Sequence, residues 1–213
     1  MQIRGVIFDL DGTLANTLPI CYAGFRVAYQ QYTGREWSDS EIAATFGPCE
    51  QGSIQRLVPH AWEECLRLYL EVYEAEHHTC TEPFEGVETL LQWLAERKLP
   101  QAIVTGKGPG TAEISLRYLG ITHYFSRVEV GSPQGSVKAK AMREVAEAWG
   151  IPTSQIAYVG DHGSDVRCSR DAGAIPIAAC WAETANKTEL ERMEPEALFE
   201  RVSDFQAWLA ERL

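Results

Sequence analysis

Apolar and polar positions change their period twice along this chain, and the changes divide it into parts. Ile3 to Phe8 reads as a strand rich in β-branched residues, apolar enough to be covered on both faces as a central parallel strand is. From Ala15 to Phe84 the period is helical. Leu18, Cys21, Tyr22, Phe25, Ala28, Tyr29 and Tyr32 share one stripe, which Gly34 closes. A short helix capped at Asp39 and running to Phe46 is broken by Gly47-Pro48. Trp62, Cys65, Leu66, Tyr69, Leu70 and Tyr73 mark another, from about Pro59 or His60 to His77. No strand is expected in this block.

Beyond Pro83 the pattern alternates. Helices are expected over Gly86–Arg97, Gly110–Leu119, Val137–Trp149, Ser164–Ala172 and Val202–Leu213. Strands are expected over Gln101–Thr105, Phe125–Val130, Gln155–Val159 and Ile175–Ala179, the last being the final clear one. Such alternation predicts an α/β fold, a Rossmann-like doubly wound parallel sheet. Residues 1–14 and 85–213 form its core domain, and residues 15–84 an inserted helical cap domain over the carboxyl ends of the strands.

Composition narrows the partners. At 213 residues, 45% hydrophobic and 23% charged, the chain suits a globular protein with a sizeable core. Its net charge of −11 disfavours nucleic acid, whose phosphates need clustered Lys and Arg. It does not exclude a small anion held by a local cation. The six cysteines form no C-x-x-C pair, and no leader segment is recognised, so a reduced, cytoplasmic setting is expected. No apolar run is long enough for a membrane span.

Four strand ends carry chemistry. In Asp9-Leu10-Asp11-Gly12-Thr13, residues i and i+2 of an extended segment point the same way, so two carboxylates can share a cavity. Such a pair can bind Mg2+ and divide the work of nucleophile (Asp9) and acid/base (Asp11); an Asp-Gly turn is the plainer alternative. Thr105-Gly106 ends the second strand with a hydroxyl and free backbone N–H groups suited to a phosphate oxygen. Lys107, next in line, could join them, but is read as facing water. Lys138 falls on the apolar stripe of Met142, where a lysine needs anionic partners; Lys140 falls on the polar face and is kept as the alternative. Asp161, at the end of the fourth strand, would complete a Mg2+ shell. Asp165 would stand behind it, fixing Lys138 or a metal-bound water, or would serve only the helix N-terminus. His162 could reach the pocket mouth, but beside Gly163 it is assigned to a surface loop.

At these residues the sequence resembles the haloacid dehalogenase superfamily: Phe8-Asp9-Leu10-Asp11-Gly12-Thr13-Leu14, Val104-Thr105-Gly106, Lys138, and Val159-Gly160-Asp161 with Asp165. The resemblance spans nearly the whole chain, and the insert is similar to the cap of the phosphoglycolate phosphatase and β-phosphoglucomutase branch. It implies a Mg2+-dependent phosphatase that hydrolyses a small phosphorylated metabolite, with phosphoglycolate a candidate. Asp9 would form an aspartyl-phosphate and Asp11 would serve as general acid/base. Asp9, the Asp11 carbonyl and Asp161 would hold the metal with Asp165 in support, while Thr105, Gly106 and Lys138 would bind the phosphoryl group. Ala139 stands where relatives of this branch usually have proline, and Gly106 where they usually have asparagine.

Substrate choice is expected where cap meets core. Asn16, Thr17, Tyr22 and the segment Gly47–Arg56 are the candidates, Arg56 being the one obvious cation there. The bulky aromatics of the insert are read as its own core rather than as a stacking surface. The rivals are a phosphomutase of the β-phosphoglucomutase type, a pyrophosphatase and a non-catalytic α/β interaction module. A phosphonate hydrolase is disfavoured, because residues 15–84 contain no lysine for a Schiff base. Whether the protein is a monomer or a homodimer is left open.

Overall fold

The computed structural model describes residues 2–213. Strand β1 (Gly5–Phe8) is followed by four helices, α1 (Leu18–Thr33), α2 (Asp39–Ala43), α3 (Glu50–Leu57) and α4 (Trp62–Glu76). The chain then alternates through α5 (Val87–Glu96), β2 (Gln101–Val104), α6 (Pro109–Leu119), β3 (Arg127–Glu129), α7 (Lys138–Trp149), β4 (Ile156–Gly160), α8 (Gly163–Ala172) and β5 (Ile175–Ala179). Helix α9 (Lys187–Arg192), β6 (Ala197–Phe199) and α10 (Val202–Ala210) complete it.

The six strands are all parallel, in the order β3-β2-β1-β4-β5-β6. Chain direction across the sheet therefore reverses beside β1, and the crevice at such a switch point is where open α/β sheets bind ligands. Strand β1 is buried throughout, and its side chains alternate between two cores. Val6 and Phe8 join the larger one, with Leu90 and Leu94 of α5 and Phe205 of α10. Ile7 faces the smaller, with Met142 and Val145 of α7 and Tyr158 of β4. Both faces of the sheet are covered, as the unbroken apolar run requires.

The insert is helical, as its period predicts. Helix α1 ends at Gly34, whose φ of 73° is the left-handed C-cap conformation. Phe25, Tyr29, Tyr69 and Tyr73 pack α1 against α4 and are buried. These aromatics are core, as expected.

Four features depart from the expectation. Helix α2 is capped by Ser38, which forms a reciprocal capping box with Glu41, rather than by Asp39, and it ends at Ala43. Helix α3 was not foreseen: its buried residues are Glu50, Gly52, Ser53 and Ile54, a face too polar to register as an apolar stripe. Helix α9 buries only Leu190, and β6 is three residues long, so neither carries enough periodicity to stand out. Helix α3 docks by close backbone approach. Cys49 N–H donates to the Ser132 carbonyl at 3.0 Å, and a Cβ on Gly52 would stand 2.3 Å from the Pro133 oxygen. This contact brings the insert onto the loop after β3.

Candidate active site

Asp9 leaves the end of β1 nearly buried. Its Oδ1 accepts from the Leu10 N–H at 2.7 Å and its Oδ2 from the Lys138 ammonium at 2.5 Å. Burial pushes its carboxyl up to about 6; Lys138 opposes this, while the negative charges of Asp165 and Asp11 add to it.

Lys138 starts α7 and bridges Asp9 to Asp165 Oδ1, at 2.7 Å. Burial works against its charge, but Asp165 and Asp9 outweigh it and hold the ammonium well above the ordinary lysine value. Lys140 is exposed and pairs with Glu144 on the same helix, so Lys138 is the lysine of the site. Asp165 is fully engaged: Tyr158 Oη donates to its Oδ1 at 3.2 Å and the His162 N–H to its Oδ2 at 3.1 Å. It sits behind the cavity as an anchor for Lys138 and for the first turn of α8. His162 is exposed and caps α8, accepting from the Ser164 N–H, while its ring borders the cavity mouth.

Asp161 ends β4 without a cationic partner among the described residues; its nearest donor is the Thr13 hydroxyl, at a long 3.5 Å. Burial pushes its carboxyl well above the usual range, and Asp165 and Asp9 push it further. It presses on the turn after β1 so closely that a Cβ at residue 12 would stand 2.1 Å from Asp161 Oδ2. Only glycine fits there, and its φ of 69° is one that glycine adopts freely.

One oxygen from each of Asp9, Asp161 and Asp165 lies within 4.8 Å of the others. A half-buried carboxylate with no cationic partner, Asp161, beside the buried Asp9, all donors being oxygen, fits a hard divalent cation. Asp11 does not offer its side chain to this cluster.

Asp11 faces the other way. Its Oδ1 accepts from the Thr17 hydroxyl and, at 2.8 Å, from the Lys107 ammonium. Lys107 is therefore buried rather than turned to water. Its Nζ also lies 3.2 Å from Cys21 Sγ and 4.6 Å from the centre of the Tyr73 ring. The expectation failed because an acid distant in sequence supplies the compensation; the one local signal was a lysine directly behind the Thr-Gly strand end. Thr105, also buried, accepts the Lys107 N–H at 3.3 Å and faces the same cavity as Gly106.

The cavity has a volume of about 790 Å³ and lies between the carboxyl ends of the strands and the insert. Asp9, Asp11, Thr105, Gly106, Lys138 and Asp161 all line it. Asn16 and Arg56 do not. Both are exposed and absent from its walls, because α3 turns Gly52 and Ser53 inward and leaves Arg56 on its outer face. Glu50, which sequence reasoning did not single out, is buried at the junction of insert and core.

The sequence profile of the haloacid dehalogenase-like hydrolases matches residues 6–179. A relative from Halalkalibacterium halodurans, the pyrophosphatase PpaX, is 30% identical over 184 residues, covering 85% of this chain and 86% of its own. Among solved structures, a haloacid dehalogenase-like family hydrolase from Streptococcus pneumoniae superposes with a TM-score of 0.79 at 22% identity, covering 97% of this chain and 98% of that one. A predicted phosphoglycolate phosphatase from Haemophilus somnus gives 0.77 at 19% identity, with 98% of each chain covered. At such identities these structures speak for the fold.

Proposed function

The chain belongs to the haloacid dehalogenase-like hydrolase family, and we propose that it is a Mg2+-dependent phosphatase of that family, acting on a small phosphomonoester through an aspartyl-phosphate on Asp9. The observation that carries this reading is the grouping at one sheet edge of Asp9, its partner Lys138 and the uncompensated Asp161. A phosphoryl group entering there meets a carboxylate in front, an ammonium at the side and an acid cluster that calls for a cation.

Asp9 Oδ attacks phosphorus, and the bond to the leaving oxygen breaks in line with the attack. Lys138 and the Thr105 hydroxyl carry charge on the transferred oxygens, for which Lys138 is already fixed by Asp165. Asp11 gives its proton to the leaving oxygen. In the second half it takes a proton from water, which attacks phosphorus, frees phosphate and restores the Asp9 carboxylate. The three donors to Asp11, the Thr17 hydroxyl, the Lys107 ammonium and, at 4.0 Å, the Cys21 thiol, all sit on Oδ1, so Oδ2 is the atom left for proton transfer. Asp9, Asp161 and the Asp11 carbonyl would hold Mg2+, with Asp165 in support. When bound it would neutralise phosphoryl charge and orient the group for attack.

Helices α1 to α4 act as the cap, excluding water from the cavity during transfer. The relative named a pyrophosphatase and the neighbour named for phosphoglycolate both have anionic leaving groups, and neither name decides the substrate here.

The test is phosphate release from a panel of small phosphomonoesters and pyrophosphate, with Mg2+ and with chelator, for the parent and Asp9→Asn. Release that requires Mg2+ and is lost in the variant supports the reading. Release that persists in Asp9→Asn overturns it.

A further inference from the structure

The insert meets the cavity with an apolar wall. Leu18, Tyr22 and Phe25 of α1 face it, together with Ala43, Phe46 and Pro48 from the end of α2 and the loop beyond. The Tyr22 and Phe46 rings stack 5.8 Å apart at 13°, and Phe25 closes on Phe46 from the side at 5.8 Å. Phe46 is 40% exposed, one of three large apolar side chains so placed among the described residues. An aromatic left open to water in a cavity that continues to Asp9 is a surface suited to a ligand.

Charge on that wall points the same way. Glu50 is the only charged side chain that the insert contributes, and its carboxylate is committed to the Gly108 N–H and the Thr111 hydroxyl of the core. Lys107 and Lys138 are both paired with acids of the site. The remaining lining cation, Arg167, stands on α8 on the core side. A carboxylate or second phosphate on the leaving group would therefore meet no cation from the insert, and a buried anion without one is costly. The volume of about 790 Å³ also exceeds what glycolate or a second phosphoryl group needs.

We infer that the leaving group is uncharged, apolar and flat, an aryl alcohol seated against the Tyr22–Phe46 pair, with Phe46 a specificity-determining residue. This rests on the phosphatase reading of the same site. The notion of the aromatics as core holds for Phe25, Tyr29, Tyr69 and Tyr73; the Tyr22–Phe46 pair is the exception.

Calorimetric titration with two non-hydrolysable probes, phenylphosphonate and phosphonoacetate, reads the wall independently of turnover. Phenylphosphonate is expected to bind about tenfold more tightly. Phe46→Ala should reduce that preference to roughly twofold and Phe46→Trp should restore it. Equal or tighter binding of phosphonoacetate, lost in Arg167→Gln, would overturn the inference and assign Arg167 to a second anion. Selective phenylphosphonate binding by a protein that hydrolyses no phosphomonoester would refute the phosphatase reading and leave the wall's preference intact. Hydrolysis without that selectivity would refute the wall alone.

Discussion

Glu50, in the first turn of α3, accepts hydrogen bonds from the Thr111 hydroxyl at 2.6 Å and the Gly108 N–H at 2.5 Å, so a carboxylate of the insert caps the N-terminus of core helix α6. The helix N-terminus favours a negative charge, and the pair is out of water, so the contact works as a latch between insert and core. Glu50→Ala leaves the Gly108 N–H without an acceptor and the Thr111 hydroxyl with only the Gly108 carbonyl, at 3.2 Å, and is expected to cost about 1–3 kcal/mol. Thr111→Val removes one partner and should cost less. Urea unfolding gives the first number. Limited proteolysis separates latch from packing, since Glu50→Ala should expose the loop from Phe46 to Cys49 to cleavage more than Thr111→Val does.

Lys107 fixes the direction of Asp11. With Lys107 and the Thr17 hydroxyl on Oδ1, the acid is presented to the cavity through Oδ2. Lys107→Met should lower kcat by about a hundredfold, the low end of what a misplaced general acid costs. KM should change little, because Lys107 holds the acid rather than the phosphoryl group. Lys140→Ala, which removes only a surface pair with Glu144, should leave both constants alone. Steady-state kinetics of the two variants check the contrast.

The apolar periods were enough to read the sheet, its helices and the edge where the acids gather, because each element of the core is covered by hydrophobic neighbours at a regular spacing. Asp9, Asp11, Thr105 and Asp161 stand out for a related reason, since a strand that ends in an acid or hydroxyl delivers it to that edge, and Lys138 stands out by its place on the apolar stripe of Met142 in α7. What escaped was tertiary compensation. Glu50 and Lys107 are charged residues buried by partners 61 and 96 positions away, and no local pattern marks such a pair. Helix α3 escaped because Ile54 is the one large apolar residue on its inward face; the rest is Glu50, Gly52 and Ser53, which allow close backbone approach. Arg56 and Asn16 were drawn in as polar residues near the right place, but the turn of α3 and the exit of the loop after β1 leave them outside.

The raised carboxyl of Asp9 makes stability depend on pH in metal-free protein. Its pKa moves from 3.8 to about 6 on folding. Between those values the folded protein holds a proton that the unfolded chain has released, so stability falls as pH rises through that window. The loss is of order 2–3 kcal/mol, complete above about pH 6 and absent below about pH 4. Asp9→Asn removes the titrating group, so its unfolding free energy in chelator should differ less between pH 4 and pH 7 than the parent's. Urea unfolding at the two pH values measures this. Equal differences in the two proteins would mean that Asp9 ionises normally.

The same excess of buried negative charge predicts how the folded protein responds to Mg2+. Among the described residues Asp161 pairs with no cation and feels the Lys138 ammonium only at a distance, and Asp9 shares that ammonium with Asp165, so a divalent ion entering the cluster would relieve the remaining repulsion. Binding to the folded state alone stabilises by mass action, about 2.7 kcal/mol at a hundredfold excess over Kd. The thermal midpoint should therefore rise with Mg2+ at pH 7.5. At pH 5 it should rise less, because the carboxylates of the cluster must lose their protons to act as ligands. Asp161→Asn should abolish most of the rise, and it should also raise the midpoint in chelator, since the variant carries one buried charge fewer. A rise with Mg2+ that survives in Asp161→Asn would place the ion elsewhere. A variant destabilised in chelator would show that Asp161 is held by more than the long contact from Thr13.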